Sequence, residues 1–477
     1  MDISISSFLL LLAPIIYVGG IAAAIHAVLY ARTAQGALAW ALSLVYLPIV
    51  ALPLYAVFGR GRFNGYVEAR RASADVFESY SRALAEAAAG PEMLAASGCA
   101  DIGMGEVLSR MPTTHGNRAA LLINGERTFD AIFEAIDAAK HYILLSFFIV
   151  RDDGLGNRLK ERLIARAKEG VEICFLYDEM GSHSLGSDYI EALERAGVKV
   201  SAFNSTKGPQ NRFQLNFRNH RKIVVTDGRV AFIGGHNVGD EYLGLDPKMS
   251  PWRDTHIRLD GPAALACQLV FVEDWIWATG ELPELEWTVH TVDGEGQLVL
   301  VVPSGPADEH DTCALLFTHL VHVARSRLWI VSPYFVPDMD VLTALKVAAL
   351  RGVDVRVLVP DVADHWIAWL AAFAYFGEAQ ACGVQFYRYT GGFLHQKVML
   401  IDDFAATVGT VNLDNRSFRL NFEITALVLD CDFAAEVEKM LETDFAASYR
   451  YDHATFSERP LWVRIGAPLA RLAAPVL

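Results

Sequence analysis

The feature that most constrains the fold of this 477-residue chain is an internal repeat. The octet HRKIVVTD, residues 220–227, returns as HQKVMLID, residues 395–402, which is 175 positions later. The segments around the two octets also match in the same order, and Gly170 and Gly352 are 182 positions apart. A repeat with nearly constant register predicts two copies of one structural unit.

Each copy alternates strand-like and helix-like segments, which predicts an α/β fold with βαβ units. We therefore predict two halves related by a pseudo-two-fold axis, at residues 119–285 and 286–455, with mixed and largely parallel sheets. In the first half the predicted elements are, in order, a strand, a helix, a strand, a helix and a strand pair: Tyr142–Val150, Gly156–Lys168, Val171–Tyr177, Tyr189–Ala196 and Ile223–Ile233.

The N-terminal part of the chain has a different character. Phe8–Tyr30 and Ala37–Phe58 are apolar runs, each long enough as a helix to cross the roughly 30 Å hydrocarbon core of a bilayer. We therefore predict a two-helix transmembrane hairpin at residues 1–60. Residues 61–118 are predicted as a helical connector at the membrane surface, and residues 456–477 as an amphipathic tail.

Charge restricts both orientation and substrate. Basic residues follow the second apolar run and favour a cytoplasmic location for the rest of the chain; they are Arg60, Arg62, Arg70 and Arg71. The formal net charge of −15 argues against a general nucleic-acid binder, which needs Lys and Arg to displace counterions. An anionic substrate must therefore be bound by local bases, and those near the octets are Arg212, Arg218, Arg221, Lys222, Arg416 and Arg419.

The octets carry the predicted chemistry. Side chains two positions apart in a strand point to the same face, so His220 and Lys222 are expected to point together, as are His395 and Lys397. One such octet is typical of a polar rim on a buried strand. Two octets in register within a repeat predict one shared site to which each half contributes a histidine and a lysine.

This set of groups suits phosphoryl chemistry without a metal. One imidazole can attack phosphorus while the other moves the proton, and the lysines can stabilise the charge that builds in the transition state. Asn237 in GGHN and Asn412 in GTVN follow the octets and can donate to phosphate oxygens. No cofactor is expected, and the six Cys residues lack the spacing of a zinc site.

The paired His-x-Lys-x-x-x-x-Asp motifs, each followed by Gly-x-x-Asn, resemble the phospholipase D superfamily. Within it the chain is similar to the bacterial cardiolipin synthases over nearly its whole length. The quoted segments that carry the resemblance are NFRNHRKIVVTDGRVAFIGGHNVGDEY, WRDTHIRLDGPA, SPYFVPD, RGVDVRVLVP, HQKVMLIDD and GTVNLDNRSFRLNFE.

The resemblance implies site residues beyond the two His-Lys pairs. It implies that Asp254 in WRDTH and Glu423 in NFE orient the catalytic histidines. Asp227 and Asp402 complete the two motifs, and they are expected to support the site rather than to carry protons.

The activity implied is phosphatidyl transfer between two phosphatidylglycerol molecules, which gives cardiolipin and glycerol through a phosphatidyl-histidine. The partners implied are membrane phospholipids and the lipid bilayer, in the inner membrane of a bacterium, with no nucleic acid. Another phospholipase D-type hydrolase or transphosphatidylase stays open as an alternative. A monomer and a homodimer are equally compatible with the sequence.

Overall fold

The computed structural model describes residues 5–31, 33–59, 62–72, 74–96, 103–204, 206, 216–294 and 296–477. Two compact units are present. The first comprises Met1–Glu68 with Asn204–Phe217, and the second comprises Ala69–Phe203 with Arg218–Leu477.

The first unit contains three apolar helices, α1 (Ile5–Tyr30), α2 (Ala34–Tyr46) and α3 (Pro48–Phe58). Among the described residues, α1 is the one helix both long and apolar enough to cross a membrane, through an 18-residue stretch with a mean hydropathy of 1.7. The three helices pack closely, since a Cβ atom at Gly20 would lie 2.4 Å from the Leu44 carbonyl oxygen. Glycine is therefore required at this contact.

The second apolar run differs from the prediction of one continuous helix. It is divided at Leu47, whose φ of −131° and ψ of 49° are not helical, and α3 begins at Pro48. The ring of a proline lacks an N–H donor and disfavours the helical conformation of the residue before it, so the break has a local cause. The crossing of the membrane by this second run stays a prediction.

The other helices and the strands build the connector region and the α/β body. The helices are α4 (Asn64–Ala72), α5 (Ala74–Ala85), α6 (Pro91–Ala96), α7 (Gly103–Ser109), α8 (Asn124–Ala138), α9 (Gly154–Lys168), α10 (Ser187–Arg195), α11 (Pro262–Thr279), α12 (Thr312–Val323), α13 (Met339–Leu350), α14 (Trp366–Gln380), α15 (Asn415–Arg419), α16 (Cys431–Ala446) and α17 (Leu461–Arg471).

The strands are β1 (Thr114–Ile123), β2 (Tyr142–Phe147), β3 (Glu172–Asp178), β4 (Lys199–Phe203), β5 (Arg218–Asn219), β6 (Ile223–Thr226), β7 (Val230–Gly234), β8 (Trp252–Arg253), β9 (Thr255–Asp260), β10 (Gln297–Ser304), β11 (Arg327–Val331), β12 (Phe335–Val336), β13 (Asp354–Pro360), β14 (Gln385–Tyr389), β15 (Phe393–Leu394), β16 (Val398–Ile401), β17 (Ala405–Gly409), β18 (Leu413–Asp414), β19 (Asn421–Leu429) and β20 (Ser448–Tyr451).

One continuous sheet joins the two halves. The strand order in the first half is β4-β3-β2-β6-β7-β9-β1, and in the second half it is β14-β13-β11-β16-β17-β19-β10, with β20 added at the outer edge. These orders correspond strand by strand, and the two series meet where β1 pairs antiparallel with β10. The predicted duplication into two α/β halves is therefore confirmed.

The expectation of largely parallel sheets is wrong. Along this path only the pairs β2–β3, β3–β4, β11–β13 and β13–β14 are parallel, and the other described pairs are antiparallel. Parallel neighbours need a long crossover, which the helices provide only at the start of each half. Later in each half a tight turn joins β6 to β7 and β16 to β17, and in the first of these Asp227 and Gly228 adopt φ angles of 51° and 65°.

Helices cover the sheet and form a separate apolar core in each half. At the C-terminal end, α17 packs on α14, with Val463, Ala467 and Ala470 buried. Apolar side chains on its other face are exposed, among them Leu461, Trp462, Ile465 and Leu469. The tail is therefore amphipathic and docked on the second half.

Candidate active site

Each octet is held in place by a short strand of the opposite half. In β5, just before His220, residues 218 and 219 pair parallel with Asn421 and Phe422 of β19, and the His220 N–H donates to the Phe422 carbonyl at 2.9 Å. In β15, just before His395, the chain pairs parallel with β8 in the same way, and the His395 N–H donates to the Arg253 carbonyl at 2.8 Å. The pseudo-two-fold relation therefore brings each histidine to the other half.

The two carboxylates follow the same crossed pattern. Nδ1 of His220 lies 2.9 Å from Oε2 and 3.0 Å from Oε1 of Glu423, which belongs to the second half. Nδ1 of His395 lies 2.8 Å from Oδ2 of Asp254, which belongs to the first half. Both carboxylates are fully buried. Each histidine is thus oriented by an acid from the opposite half.

Further donors fix the two carboxylates. The Thr410 hydroxyl donates to Glu423 at 2.5 Å, and the side-chain amide of Asn421 donates to it at 3.2 Å. The Thr255 N–H donates to Asp254 at 2.8 Å. Hydrogen bonds of this kind hold a carboxylate in one position and favour its ionised form.

Both carboxylates stay ionised despite burial. Burial opposes the charge of Glu423, but His220 and Lys222 hold the pKa of that carboxyl below its ordinary value. Burial likewise opposes the charge of Asp254, and His236, Lys397 and His395 together lower the pKa of that carboxyl. An ionised carboxylate only accepts, so the facing Nδ1 carries the proton and Nε2 of the neutral ring has the free lone pair.

Burial favours the neutral form of both catalytic imidazoles. It lowers the pKa of His220 to about 4, although Glu423 partly offsets the effect. Burial and the nearby Lys397 ammonium also lower the pKa of His395. At neutral pH the free site therefore presents imidazoles with an unprotonated Nε2, the atom that a nucleophile or a general base requires.

The two lysines lie beside the histidines and are buried. Nζ of Lys222 donates to the His220 carbonyl at 2.7 Å, and Nζ of Lys397 donates to the His395 carbonyl at 2.5 Å. Nζ of Lys397 also lies 3.0 and 3.1 Å from the two ring nitrogens of His395. Burial lowers the pKa of Lys222 to about 7 and that of Lys397 to about 8, and Lys397 further lowers the pKa of Lys222.

Both histidines line one cavity of about 670 Å³. Asn237 and Asn412 line it as well. The side chain of Asn237 bonds to the Ile149 N–H and the Tyr242 hydroxyl, whereas Oδ1 of Asn412 is buried without a hydrogen-bond partner. The site residues of the two halves therefore meet around a single space of ligand size.

Asp227 and Asp402 lie at structural turns and do not line this cavity. The Asp227 carboxylate accepts three backbone N–H groups at residues 140–142, at 2.7 to 2.9 Å. The Asp402 carboxylate accepts the corresponding N–H groups at residues 325–327 and the Ser326 hydroxyl. These contacts fix the start of β2 and of β11 against the ends of the octets, so both aspartates, which complete the predicted motifs, hold structural positions outside the cavity lining.

The bases near the octets divide into two groups. Arg218 and Arg416 line the cavity. Arg221 is fully buried and bonds to Asp274 at 2.8 Å, and Arg419 bonds to Asp311 and Asp338 at 3.1 and 3.0 Å. The predicted contribution of Arg212 lies outside the described residues.

The sequence reasoning did not single out Thr410 or Asn421, which bind Glu423. His236 and His256 also carry no signal in the repeat, yet both are buried near Asp254, with their Nδ1 atoms 3.4 Å apart. Comparison of the repeats could have drawn attention to Thr410, which lies two residues before Asn412 in GTVN where the first half has glycine in GGHN.

Comparisons with known proteins agree with this geometry. The family model described as "Cardiolipin synthase, PLD-like domain" matches residues 132–247 and 317–445. Cardiolipin synthase A of Pseudomonas aeruginosa is 50% identical over 475 residues, which cover 99% of this chain and 97% of that protein. Cardiolipin synthase A of Pseudomonas fluorescens is 48% identical over 463 residues, which cover 96% of each chain.

The fold also has a solved counterpart. The crystal structure of phosphatidylserine synthase from Haemophilus influenzae Rd KW20 matches 79% of this chain and 99% of its own, with a TM-score of 0.60 and 14% sequence identity. At this identity the match concerns the fold alone. The family match and the full-length relatives go further: the chain belongs to the cardiolipin synthase family of PLD-like proteins.

Proposed function

We propose that this chain is a phosphatidyltransferase that joins two phosphatidylglycerol molecules into cardiolipin and releases glycerol. The observation that supports this most strongly is the crossed arrangement of two histidine–carboxylate pairs on one cavity. Two similar imidazoles allow one to carry the phosphatidyl group and the other to move the proton.

In the first half-reaction, Nε2 of one histidine attacks the phosphorus of the donor lipid. A P–N bond forms and the bond from phosphorus to the glycerol headgroup oxygen breaks. The second histidine is neutral in the free site and takes up a proton when the anionic phosphate binds beside it, because a nearby negative charge favours the imidazolium. It gives this proton to the departing oxygen, so glycerol leaves as a neutral alcohol. The assignment of the two roles between His220 and His395 stays open.

In the second half-reaction, the acid of the first step acts as the base. It takes the proton from a headgroup hydroxyl of the acceptor phosphatidylglycerol as the oxygen of that hydroxyl attacks phosphorus. The P–N bond breaks, the first histidine leaves as a neutral imidazole, and the second histidine is again protonated. Each turnover therefore returns both histidines to their starting forms.

Lys222 and Lys397 are the proposed source of positive charge for the phosphate, because Nζ of Lys397 lies beside the His395 ring and Nζ of Lys222 bonds to the His220 carbonyl. An ammonium placed where negative charge develops lowers the barrier without rearranging at the moment of reaction. Asn412 and Asn237, which line the same cavity, are the proposed neutral donors to the phosphate oxygens. The carboxylates of Glu423 and Asp254 stabilise the imidazolium and keep each ring in one orientation.

Transfer rather than hydrolysis requires that a lipid alcohol compete with water at about 55 M. A hydroxyl held against the phosphatidyl-histidine in a cavity gains a large effective concentration, and exclusion of water adds to the advantage. We propose that the enzyme works at a bilayer surface, where both lipids are concentrated. The apolar helix α1 supports this placement.

The proposed membrane topology has two crossings, with the α/β body on the cytoplasmic side. The argument rests on the basic residues after the second apolar run. Of these, Arg60 lies outside the described residues, and Arg70 forms ion pairs with Glu273 and Asp308 at 2.9 and 3.1 Å. Labelling of single cysteines placed before α1 and after α3 in intact cells tests the orientation.

The lipid products decide the reaction. Purified enzyme is given phosphatidylglycerol alone, and the products are identified by mass spectrometry; cardiolipin and an equal amount of glycerol are expected. A second phospholipid is then added to test other acceptors. Phosphatidic acid without cardiolipin would show a hydrolase instead.

Single substitutions test the two histidines. His220→Ala and His395→Ala should each lower cardiolipin formation by several orders of magnitude, because the catalytic groups act as one unit. The matched control is His322→Ala, since His322 is exposed near the end of α12 and does not line the cavity. A normal rate in either catalytic variant would contradict the mechanism.

A further inference from the structure

The product of the proposed reaction has two anionic phosphates at the ends of one glycerol. An enzyme that makes it must therefore hold a second phosphate, one glycerol length from the reacting phosphorus. The lysines and asparagines assigned to the reacting phosphate occur as pseudo-equivalent pairs, one member from each half. They account for one phosphate, so the second phosphate needs another site.

The cavity is symmetric in its catalytic groups but not in its charge. A shift of 175 positions converts His220, Lys222 and Asn237 into His395, Lys397 and Asn412, yet it converts Glu241 into Arg416 and Arg218 into Phe393. Glu241, Arg416 and Arg218 all line the cavity. The cavity therefore has two guanidinium groups that the repeat does not duplicate: the residue equivalent to Arg416 is an acid, and the residue equivalent to Arg218 is a phenylalanine.

The two arginines belong to the side of the cavity that holds His220. Arg218 lies in β5, two residues before His220, and Arg416 is close enough to Glu423 for that carboxylate to affect its pKa. Burial and the neighbouring Arg218 lower the pKa of Arg416 to about 10. Two half-buried cations that repel each other are stabilised by an anion placed between them.

Two carboxylates also lie near this arginine pair. Asp178 accepts backbone N–H groups from Met180, Gly181 and Asn219, and Asp414 accepts the Ser417 N–H. Burial raises the pKa of both carboxyls to about 6. Their oxygens hold the local backbone, and their charge also acts on the arginines: against the effect of burial, Asp178 raises the pKa of Arg218, and Asp414 and Asp178 raise the pKa of Arg416.

The opposite side of the cavity carries two carboxylates, Glu241 and Asp364, and Glu241 is ion-paired with Arg151 at 3.2 Å. Tyr242, next to Glu241, contacts the ring of Trp252, which in turn contacts the ring of His395. Asp364 also lines the cavity, accepts the Tyr334 hydroxyl and acts on the pKa of His395. The guanidinium group on this side is already matched by Glu241, so a second anionic phosphate is better placed beside the two neighbouring cations Arg218 and Arg416.

We propose that Arg218 and Arg416 form a second phosphate site, which binds the phosphodiester of the acceptor lipid. This inference rests on the proposed function and explains why the enzyme would select an anionic lipid as the acceptor alcohol. Guanidinium groups bind phosphate oxygens through paired, charge-assisted hydrogen bonds. The phosphatidyl-enzyme would therefore react with an anionic lipid alcohol in preference to a neutral alcohol or water.

The test compares two acceptors for the same phosphatidyl-enzyme. Full-length enzyme in phosphatidylglycerol vesicles is supplied with 1-butanol, and cardiolipin and phosphatidylbutanol are measured together by mass spectrometry. Arg416→Gln and Arg218→Gln should lower the cardiolipin-to-phosphatidylbutanol ratio by about 10- to 100-fold, the effect of losing a hydrogen bond to a charged group. Phosphatidylbutanol itself reports that the variant is folded and that the transfer chemistry is intact.

Two further variants sharpen the comparison. Arg416→Lys keeps the charge and should retain most of the ratio, whereas Arg419→Gln, on the same helix but paired with Asp311 and Asp338, should leave it unchanged. An unchanged ratio in Arg416→Gln and Arg218→Gln would overturn the second site, as would equal losses of both products. Wild-type enzyme that makes phosphatidylbutanol but no cardiolipin would instead refute the proposed function.

Discussion

The crossed pairing of carboxylates and histidines predicts an unusual pattern of mutational effects. Glu423 lies in the second half but bonds to His220 of the first, and Asp254 lies in the first half but bonds to His395 of the second. Glu423→Gln should therefore impair the same chemical step as His220→Ala. Asp254→Asn should impair the step that depends on His395.

The size of the effect follows from the contacts. Glu423→Gln replaces a charge-assisted bond to Nδ1 of His220 by a neutral one, and such a bond contributes about 1.5–3 kcal/mol. At about 1.4 kcal/mol per factor of ten, the rate should fall by roughly 10- to 150-fold. The new amide NH₂ also faces the hydroxyl of Thr410 or the amide of Asn421, which donate to the carboxylate in the wild type, so the upper part of this range is expected.

A change of leaving group shows which step each carboxylate serves. In a phosphatidyl ester of an acidic nitrophenol, the leaving group departs as the nitrophenolate anion and needs no proton. Release of nitrophenolate in the first turnover therefore does not need the general acid. Replacing the histidine that acts as the acid should then change the first-turnover release of nitrophenolate only slightly, whereas replacing the nucleophilic histidine should abolish it. The glycerol substrate needs both groups and provides the comparison.

The expected outcome is a match within each crossed pair. Glu423→Gln should show the leaving-group sensitivity of His220→Ala, and Asp254→Asn that of His395→Ala, whichever histidine is the nucleophile. Asn421→Ala, which removes one donor to Glu423 but keeps the charge of that carboxylate, should give a smaller loss in the same step. If Glu423→Gln instead followed His395→Ala, the crossed assignment would be wrong.

Three further predictions concern charge, stability and metals. Lys222 is protonated below its pKa of about 7, so kcat/KM should fall as the pH rises above 7. Lys222→Arg should move this decline in the pH profile towards pH 8, where Lys397 loses its proton. An unchanged pH profile in this variant would contradict the role of Lys222. Asp402→Asn should lower the free energy of unfolding by about 2–4 kcal/mol, measured by denaturant titration, and leave activity at low temperature largely intact. Transfer should persist in excess EDTA, because Lys222 and Lys397 supply the positive charge; loss of activity that Mg²⁺ restores would refute this.

Local sequence patterns were sufficient to predict the duplicated fold and the two His-Lys pairs. In both octets the apolar residues after the lysine form a buried strand, β6 or β16, and the histidine and lysine lie together at its start. Spacing of two along an extended chain fixes this relation, and no distant contact is needed to establish it.

Relations that depend on distant contacts could not be read from spacing. The pairing of β5 and β15 with the opposite halves decides which carboxylate reaches which histidine, and it joins residues 203 and 141 positions apart. The antiparallel majority of the sheet depends in the same way on strands that are distant in the chain, such as β1 with β10 and β2 with β6. At Leu47 the cause was local, because Pro48 follows it, yet the hydropathy of the apolar run concealed the break.

The crossed contacts also explain why the duplication is used as one site. A single half contains one catalytic histidine and one carboxylate, but the carboxylate orients the histidine of the other half. Neither half can then fix the tautomer of its own imidazole, so the proposed mechanism needs the two halves joined, as they are where β1 pairs with β10.

The same junction resolves the conflict between a net charge of −15 and an anionic substrate. Burial disfavours the charged form of Lys222 and Lys397, but the carboxylates of Glu423 and Asp254 raise their pKa values in part. A bound phosphate adds a further negative charge and must stabilise both ammonium groups. Phosphate binding and lysine protonation are therefore linked, so above pH 7 the lipid should bind together with a proton. The charge that attracts the anionic lipid is thus the charge of the buried lysines in the site, and the net charge of the whole chain does not decide binding.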